Sequence, residues 1–276
     1  MTVRGKAVRW LFERAFQAYP SEAMAAAQRR FDLTEVVYQP SPAGPLAGPP
    51  LRLPAADPHS RKAVAGDTVS PEIVRFFRRF DAERYVFFDV GANVGLITRQ
   101  IAATMPNISA VHCFEPNPNS LVFLRHNTAH LPSVTVHPVA LSDRNQVTQL
   151  IVSGRNTGNC SFHSDVVRQA SGSISVEAAN ANDRIPSLLP QGQRALWKSD
   201  TEGHDATIIG ALPLSFWSRV DAAAVELWAP LKPLSPFLSA LSSFPHKALN
   251  GHPTNEAAIL AALTDRRRRF DLFLWR

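Results

Sequence analysis

Four residues give the stretch VFFDVGANVG its chemistry: Asp89, Gly91, Asn93 and Gly95. An apolar run that ends in glycines reads as a buried strand turning into a nucleotide-binding loop. A dinucleotide fingerprint puts a glycine where Asn93 stands, so that backbone can approach a pyrophosphate. A side chain there crowds a pyrophosphate, and the Asp89 carboxylate repels it. S-adenosylmethionine removes both objections, because it has no phosphate. Its methionine ammonium can pair with Asp89, and its carboxylate can sit at the N-terminus of the next helix. Glu115 stands 20 residues after Gly95. That is the place for an acid that binds two ribose hydroxyls. NAD sites use the same device, so Glu115 gains its meaning beside Asp89 and the loop. Asn117, at the start of the next helix, joins this cofactor set. Ser142 and Asp143, in SDRN, either reach the adenine amine or simply form a turn.

A second constellation is KSDTEGHD, which holds Lys198, Asp200, Glu202, His204 and Asp205. Methyl transfer from a sulfonium is an in-line displacement, so placing the attacking oxygen does much of the work. An alcohol also needs a base for its proton. His204 titrates nearest neutrality and is the first choice, with Asp200 or Glu202 orienting or replacing it. The D-x-E-x-H spacing could instead hold a divalent cation, but does not require one, and no metal is expected. Glu226, at the end of a later strand, is expected to face the same cleft. His112, His126, His130 and His137 read as structural or exposed.

These residues need a scaffold that brings strand ends together. From about residue 70 the chain alternates. YVFFDV, SAVHCFE, VTVHPVAL, RALWKSD, DAAAVELW and FDLFLW read as strands. SPEIVRFFRRF, VGLITRQIAA, NPNSLVFLRHNTAH, DATIIGAL and NEAAILAALTD read as helices, with Ser70 and Asn117 as caps and a proline following each. Such alternation predicts an α/β, Rossmann-like, doubly wound and mostly parallel sheet with ligands at the carboxyl ends of its strands. Residues 144 to 193 are expected to form an insertion over that edge.

Residues 1–65 read as an extension and residues 66–276 as the main domain. Residues 8 to 19 follow amphipathic helical spacing, with Arg4, Lys6, Arg9 and Arg14 around the apolar stripe. This is either a helix packed on the main domain or a peripheral membrane contact. Residues 39 to 58 carry seven prolines, which suits a linker or a wrapping segment. The 276 residues suffice for a real core, and the two cysteines make no disulfide framework. With no signal-like or membrane-spanning run, a cytoplasmic location is expected. The net charge of +6 invites nucleic acid, but a solvated surface explains it as well.

Taken together, FFDVGANVG, FEPNPNSL, HPVALSD, NTGNCSF and KSDTEGHDATIIGAL resemble the FkbM-type methyltransferase family in order and spacing. The resemblance covers roughly residues 66 to 228. It implies a seven-stranded sheet with an antiparallel closing strand and S-adenosylmethionine as cofactor. It also implies methylation of a hydroxyl on a sugar, glycolipid or secondary metabolite, with Asp89, Gly91, Asn93, Gly95 and Glu115 at the cofactor. Ser199 departs from the family's usual apolar residue, and ANANDRIPSLL is only loosely similar. Competing readings are a nucleic-acid methyltransferase, an NAD-dependent oxidoreductase and a degenerate binding scaffold. The first lacks its Pro-Pro-aromatic string and a stacking platform. Asn93 disfavours the second. The acceptor and the oligomeric state are not legible.

Overall fold

The computed structural model describes residues 34–153, 158–167, 170–229, 235–264 and 269–276. The expected helix at 8 to 19 lies outside them. In chain order the elements begin with β1 (Glu35–Tyr38), β2 (Leu51–Pro54), α1 (Pro58–Gly66) and α2 (Pro71–Phe77). Then come β3 (Tyr85–Val90), α3 (Leu96–Thr104), β4 (Ile108–Phe114), α4 (Pro118–Thr128) and β5 (Val134–His137). They are followed by β6 (Ala140–Ser142), β7 (Gln146–Ser153), β8 (Ala170–Asn180), α5 (Ala181–Arg184) and β9 (Arg194–Ser199). The chain continues with α6 (Asp205–Ala211), α7 (Leu214–Trp217), β10 (Val220–Trp228), α8 (Ser235–Leu241) and β11 (His246–Leu249). It ends with β12 (His252–Pro253), α9 (Glu256–Thr264) and β13 (Arg269–Trp275).

The main sheet has the order β12-β11-β13-β10-β9-β3-β4-β5. From β5 to β10 the neighbours are parallel, and β13 enters antiparallel between β10 and β11. The architecture is the expected Rossmann-like one, with eight strands rather than seven. The closing strand β13 is antiparallel, as expected, and lies between β10 and β11. The short strands β11 and β12 were not foreseen, because HKAL and HP carry too little apolar pattern. Strand β3 is buried at all six positions, as its continuous apolar sequence demands. It lies where the sequential order of the parallel strands reverses, between β4 and β9. That is the switch point, and the loop leaving β3 opens onto it.

VTVHPVAL is not one strand. Pro138 has no N–H for a ladder, and the run splits there. Strand β5 stays in the main sheet, while β6 joins β7 and β8 in a separate three-stranded sheet. Ser70 also differs from expectation. It is left-handed (φ 45°) and makes no side-chain cap to α2. Asn117 does cap α4, accepting from the Asn119 N–H.

The proline-rich segment wraps the main domain. Strands β1 and β2 pair antiparallel. Leu46, Leu51 and Leu53 are fully buried against Ala63, Val69, Val94 and Leu96, and each such leucine contributes about 1.5–3 kcal/mol. Arg99 on α3 is buried and donates to the carbonyls of Leu46 (2.8 Å) and Pro49 (2.5 Å). An unfurled stretch with few ladder partners has thereby found acceptors for one long side chain.

Candidate functional site

The site begins at the end of β3. Asp89 is fully withdrawn from water. Its Oδ2 accepts from the Thr98 hydroxyl at 2.6 Å, and its Oδ1 pairs with Lys198 Nζ at 3.0 Å. The pairing follows from register, since Asp89 and Lys198 are Cα partners across β3 and β9. Lys198 also donates to the Gly91 carbonyl at 2.8 Å. Burial alone would strip its proton, but the charges of Asp89 and Asp200 win and raise its pKa. Asp89 therefore anchors the loop from beneath. Its expected contact with a ligand ammonium is not made available here, because both its oxygens face protein.

The loop itself is tightly folded. Gly91 has φ +73°, and a Cβ on it would stand 1.9 Å from the Asp200 carbonyl oxygen. Only glycine lets the loop pass the end of β9 so closely. Asn93 is left-handed at φ 47°, a region asparagine tolerates. Its side-chain oxygen accepts from Ser120 at 3.1 Å, and its N–H donates to Glu115 Oε2 at 2.8 Å. Gly95 (φ +83°) packs against Leu124 and Thr128 and starts α3. A Cβ there would stand 2.7 Å from Leu124 Cδ1, so the close packing of α3 on α4 requires glycine.

Glu115 follows the last residue of β4. Its second oxygen accepts the Asn117 N–H at 2.8 Å. Burial pushes its pKa up to about 7, against the pull of these two N–H groups and of Lys198. Each carboxylate oxygen keeps a further lone pair.

A cavity of about 710 Å³, including its open mouth, lies over these groups. Gly91, Asn93, Glu115, Asp200, Glu202 and His204 all line it. An apolar wall of Phe114, Val139, Leu141, Leu150 and Phe162 completes it. Asp89, Gly95, Asn117, Ser142 and Asp143 do not line it. Asn117 is spent on its cap and on Cys160 Sγ (3.4 Å). Ser142 is buried, with its hydroxyl on His204 Nε2 at 3.0 Å and on Asp143 at 3.2 Å. Asp143 turns outward to Arg144, whose hydrogen bonds lower its pKa.

His204 departs from expectation in two ways. Burial and the neighbouring His163 push its pKa down to about 4, so the ring is neutral and a weak base. It is oriented by Ser142, not by Asp200 or Glu202. Its Nδ1 has no hydrogen-bond partner among the described residues.

The carboxylates group elsewhere. Asp200, Glu202 and Glu226 each offer an oxygen within 4.8 Å of the others'. They line a second cavity of about 680 Å³, with Arg269, Asp271 and Lys198. His59, Asp200 and Glu202 line both cavities, so they form a shared wall. Burial, then the charge of Asp200, raises the proton affinity of Glu202 and Glu226. Sequence reasoning missed His59, which α1 brings from the wrapping segment. It also missed the Lys198–Asp89 pair, although both apolar runs end in their charged residue one step before the strand does.

No protein-family model and no curated protein sequence matches the chain. Solved structures do resemble it. Methyltransferase FkbM from Methylobacillus flagellatus KT is 15% identical, with a TM-score of 0.43 over 73% of this chain and 47% of that one. The chain thus spans about half the length of that protein. Precorrin-6y C5,15-methyltransferase from Geobacter metallireducens GS-15 is 13% identical (TM-score 0.37; 77% and 93% covered). An rRNA methylase from Streptococcus thermophilus is 9% identical (TM-score 0.41; 74% and 94% covered). All three are methyl-transferring enzymes. With identity and superposition this low, it is the side chains of the cleft that speak for its chemistry. Among the described residues no helix is long and apolar enough to cross a membrane.

Proposed function

We propose that the chain is an S-adenosylmethionine-dependent O-methyltransferase of the FkbM type. Its acceptor would be a hydroxyl of a sugar, glycolipid or secondary metabolite. The observation that carries this reading is Glu115. It is a buried carboxylate at a switch-point strand end, fixed by two backbone N–H groups beside a GxNxG loop, and it lines a cavity with an apolar wall.

The residues present fit the cofactor. Glu115 has lone pairs left for two ribose hydroxyls. The wall of Val139, Leu141 and Phe162 suits a purine ring. Asn93 and its left-handed loop leave no room for a pyrophosphate, which speaks against NAD. Asp89 serves by holding Lys198 and the loop, and the carbonyls that Lys198 gathers leave the loop's shape fixed. When bound, S-adenosylmethionine supplies an already activated methyl group.

The chain's own residues then place and deprotonate the acceptor. Asp200 and Glu202 stand on the wall between the cavities, where an acceptor oxygen would meet the cofactor. Glu202 replaces His204 as the group of choice for the proton, since burial and the charge of Asp200 raise its affinity towards the range a base needs. His204 remains a neutral, Ser142-held ring that shapes the wall. Residues 269 and 271, with the second cavity, would receive the rest of the acceptor.

Incubation with methyl-labelled S-adenosylmethionine and a panel of monosaccharides, glycolipids and hydroxylated macrocycles tests the reading. Label is expected in a hydroxylated small molecule. Label in RNA alone would replace it with the nucleic-acid reading.

A further inference from the structure

The second cavity has a feature that its residues do not satisfy among themselves. Glu226 lies near the end of β10 and is 8% exposed. Its Oε1 meets Arg269 at 3.2 Å, but its Oε2 is buried and has no hydrogen-bond partner among the described residues. Glu202 Oε2 is in the same state. Asp200 completes the trio, and the three ligand oxygens lie within 4.8 Å of one another. Two oxygens bound to one ion at about 2.4 Å cannot be more than about 4.8 Å apart. The trio therefore falls within the upper limit of spacing that one calcium-sized ion sets.

The charge balance points the same way. Asp271 lines the same cavity, and the charge of Asp205 acts on both Glu202 and Glu226. Lys198 is committed to Asp89. Arg269 touches one oxygen of Glu226 and keeps 58% of its side chain in solvent. That one half-solvated guanidinium serves a trio in which Glu226 is buried and Asp200 and Glu202 are half-buried, and a carboxylate withdrawn from water asks for a close cation. Glu226 and Glu202, each with one carboxylate oxygen that has no hydrogen-bond partner among the described residues, both line this cavity.

We infer that Asp200, Glu202 and Glu226 form a divalent-cation site at the wall between the two cavities. The donor set is all oxygen. It therefore suits a hard ion of the magnesium, manganese or calcium class, not zinc or copper. A cation with only three protein ligands keeps coordination positions for acceptor oxygens, so vicinal hydroxyls are the chemical class it would seat. The sequence pattern D-x-E-x-H placed a histidine in such a set. The fold replaces it with Glu226, a residue of another strand, and leaves His204 on Ser142. Cation binding itself does not depend on methyl transfer. Only the seating of the acceptor rests on the functional reading above.

The test is titration of the full chain with Mn²⁺, followed by the water-proton relaxation of free and bound ion, without cofactor. Saturable binding at one site is expected, weakened about tenfold or more by Glu226→Gln and by Asp200→Asn. Asp81→Asn, which alters an exposed carboxylate that lines neither cavity, is expected to bind as the parent does. Folding of each variant is checked by circular dichroism. No saturable binding to the folded parent, or equal binding by folded Glu226→Gln, overturns the site. Binding of Mn²⁺ by a protein that ignores S-adenosylhomocysteine would uphold the site and overturn the methyl-transfer reading.

Discussion

Lys198 Nζ stands 3.0 Å from Asp89 Oδ1, with the two side chains 5% and 0% exposed. They are neighbours on adjacent parallel strands, and the lysine also grips the Gly91 carbonyl. This pair, rather than a ligand, answers the carboxylate that precedes the glycine loop. Removing one partner leaves a buried charge alone. Asp89→Asn and Lys198→Met should each cost about 3–5 kcal/mol in denaturant unfolding, and the double variant clearly less than their sum. Additive losses would mean that the pair is not coupled.

The loop's passage past β9 depends on Gly91. A methyl group there would lie 1.9 Å from the Asp200 carbonyl oxygen. Gly91→Ala should cost about 2–3 kcal/mol and remove cofactor binding. Gly251→Ala is the comparison, since it too has positive φ (+80°) but meets nothing within 4 Å. It should cost about 1 kcal/mol and leave binding unchanged. Thermal unfolding with and without S-adenosylhomocysteine reads both effects.

Arg99 ties the proline-rich wrap to α3 through the carbonyls of Leu46 and Pro49. Arg99→Met strands those acceptors at a cost of about 1–3 kcal/mol. Limited proteolysis should then cut within residues 39–50 well before the main domain. An unchanged digestion pattern would show that the leucine contacts suffice.

His112 Nδ1 and His137 Nε2 are 3.1 Å apart, and His137 stacks on Phe114 and reaches Arg184. Burial, then His112 and Arg184, pushes the His137 pKa down to about 4. Its folded value is below its unfolded value. Its contribution to stability is therefore full above about 6.5 and is lost as pH falls from there towards 4. His137→Phe should reduce the acid-side slope of unfolding free energy relative to the parent. The His137 ring resonance should stay unprotonated down to about pH 5. Titration of that resonance near 6.5 would contradict the environment described.

The sheet was legible because its strands are continuous apolar runs between capped helices, as in YVFFDV and ALWKS. Strands β11 and β12 were not, for HKAL and HP owe their pairing to β13 and to each other. Pro138 announced the break after β5, yet the apolar pattern ran through it. At the site, Glu115 and the loop could be read from spacing, since one strand and one turn fix them. His204 could not. Its distance from neutrality comes from burial beneath Phe162 and His163, and its partner Ser142 lies 62 residues away. Glu226 was legible as a strand-end carboxylate of the same cleft, and the parallel pairing of β10 with β9 brings it to Asp200 and Glu202.

The central claim is that the cleft over Glu115 binds S-adenosylmethionine. Calorimetric titration of the folded chain with S-adenosylhomocysteine, beside NAD, tests it most directly. The account requires saturable binding of S-adenosylhomocysteine, none of NAD, and a loss of about tenfold or more in Glu115→Gln, which gives up charge-assisted bonds to the ribose. No binding by the folded chain, preference for NAD, or an unaffected Glu115→Gln would contradict it.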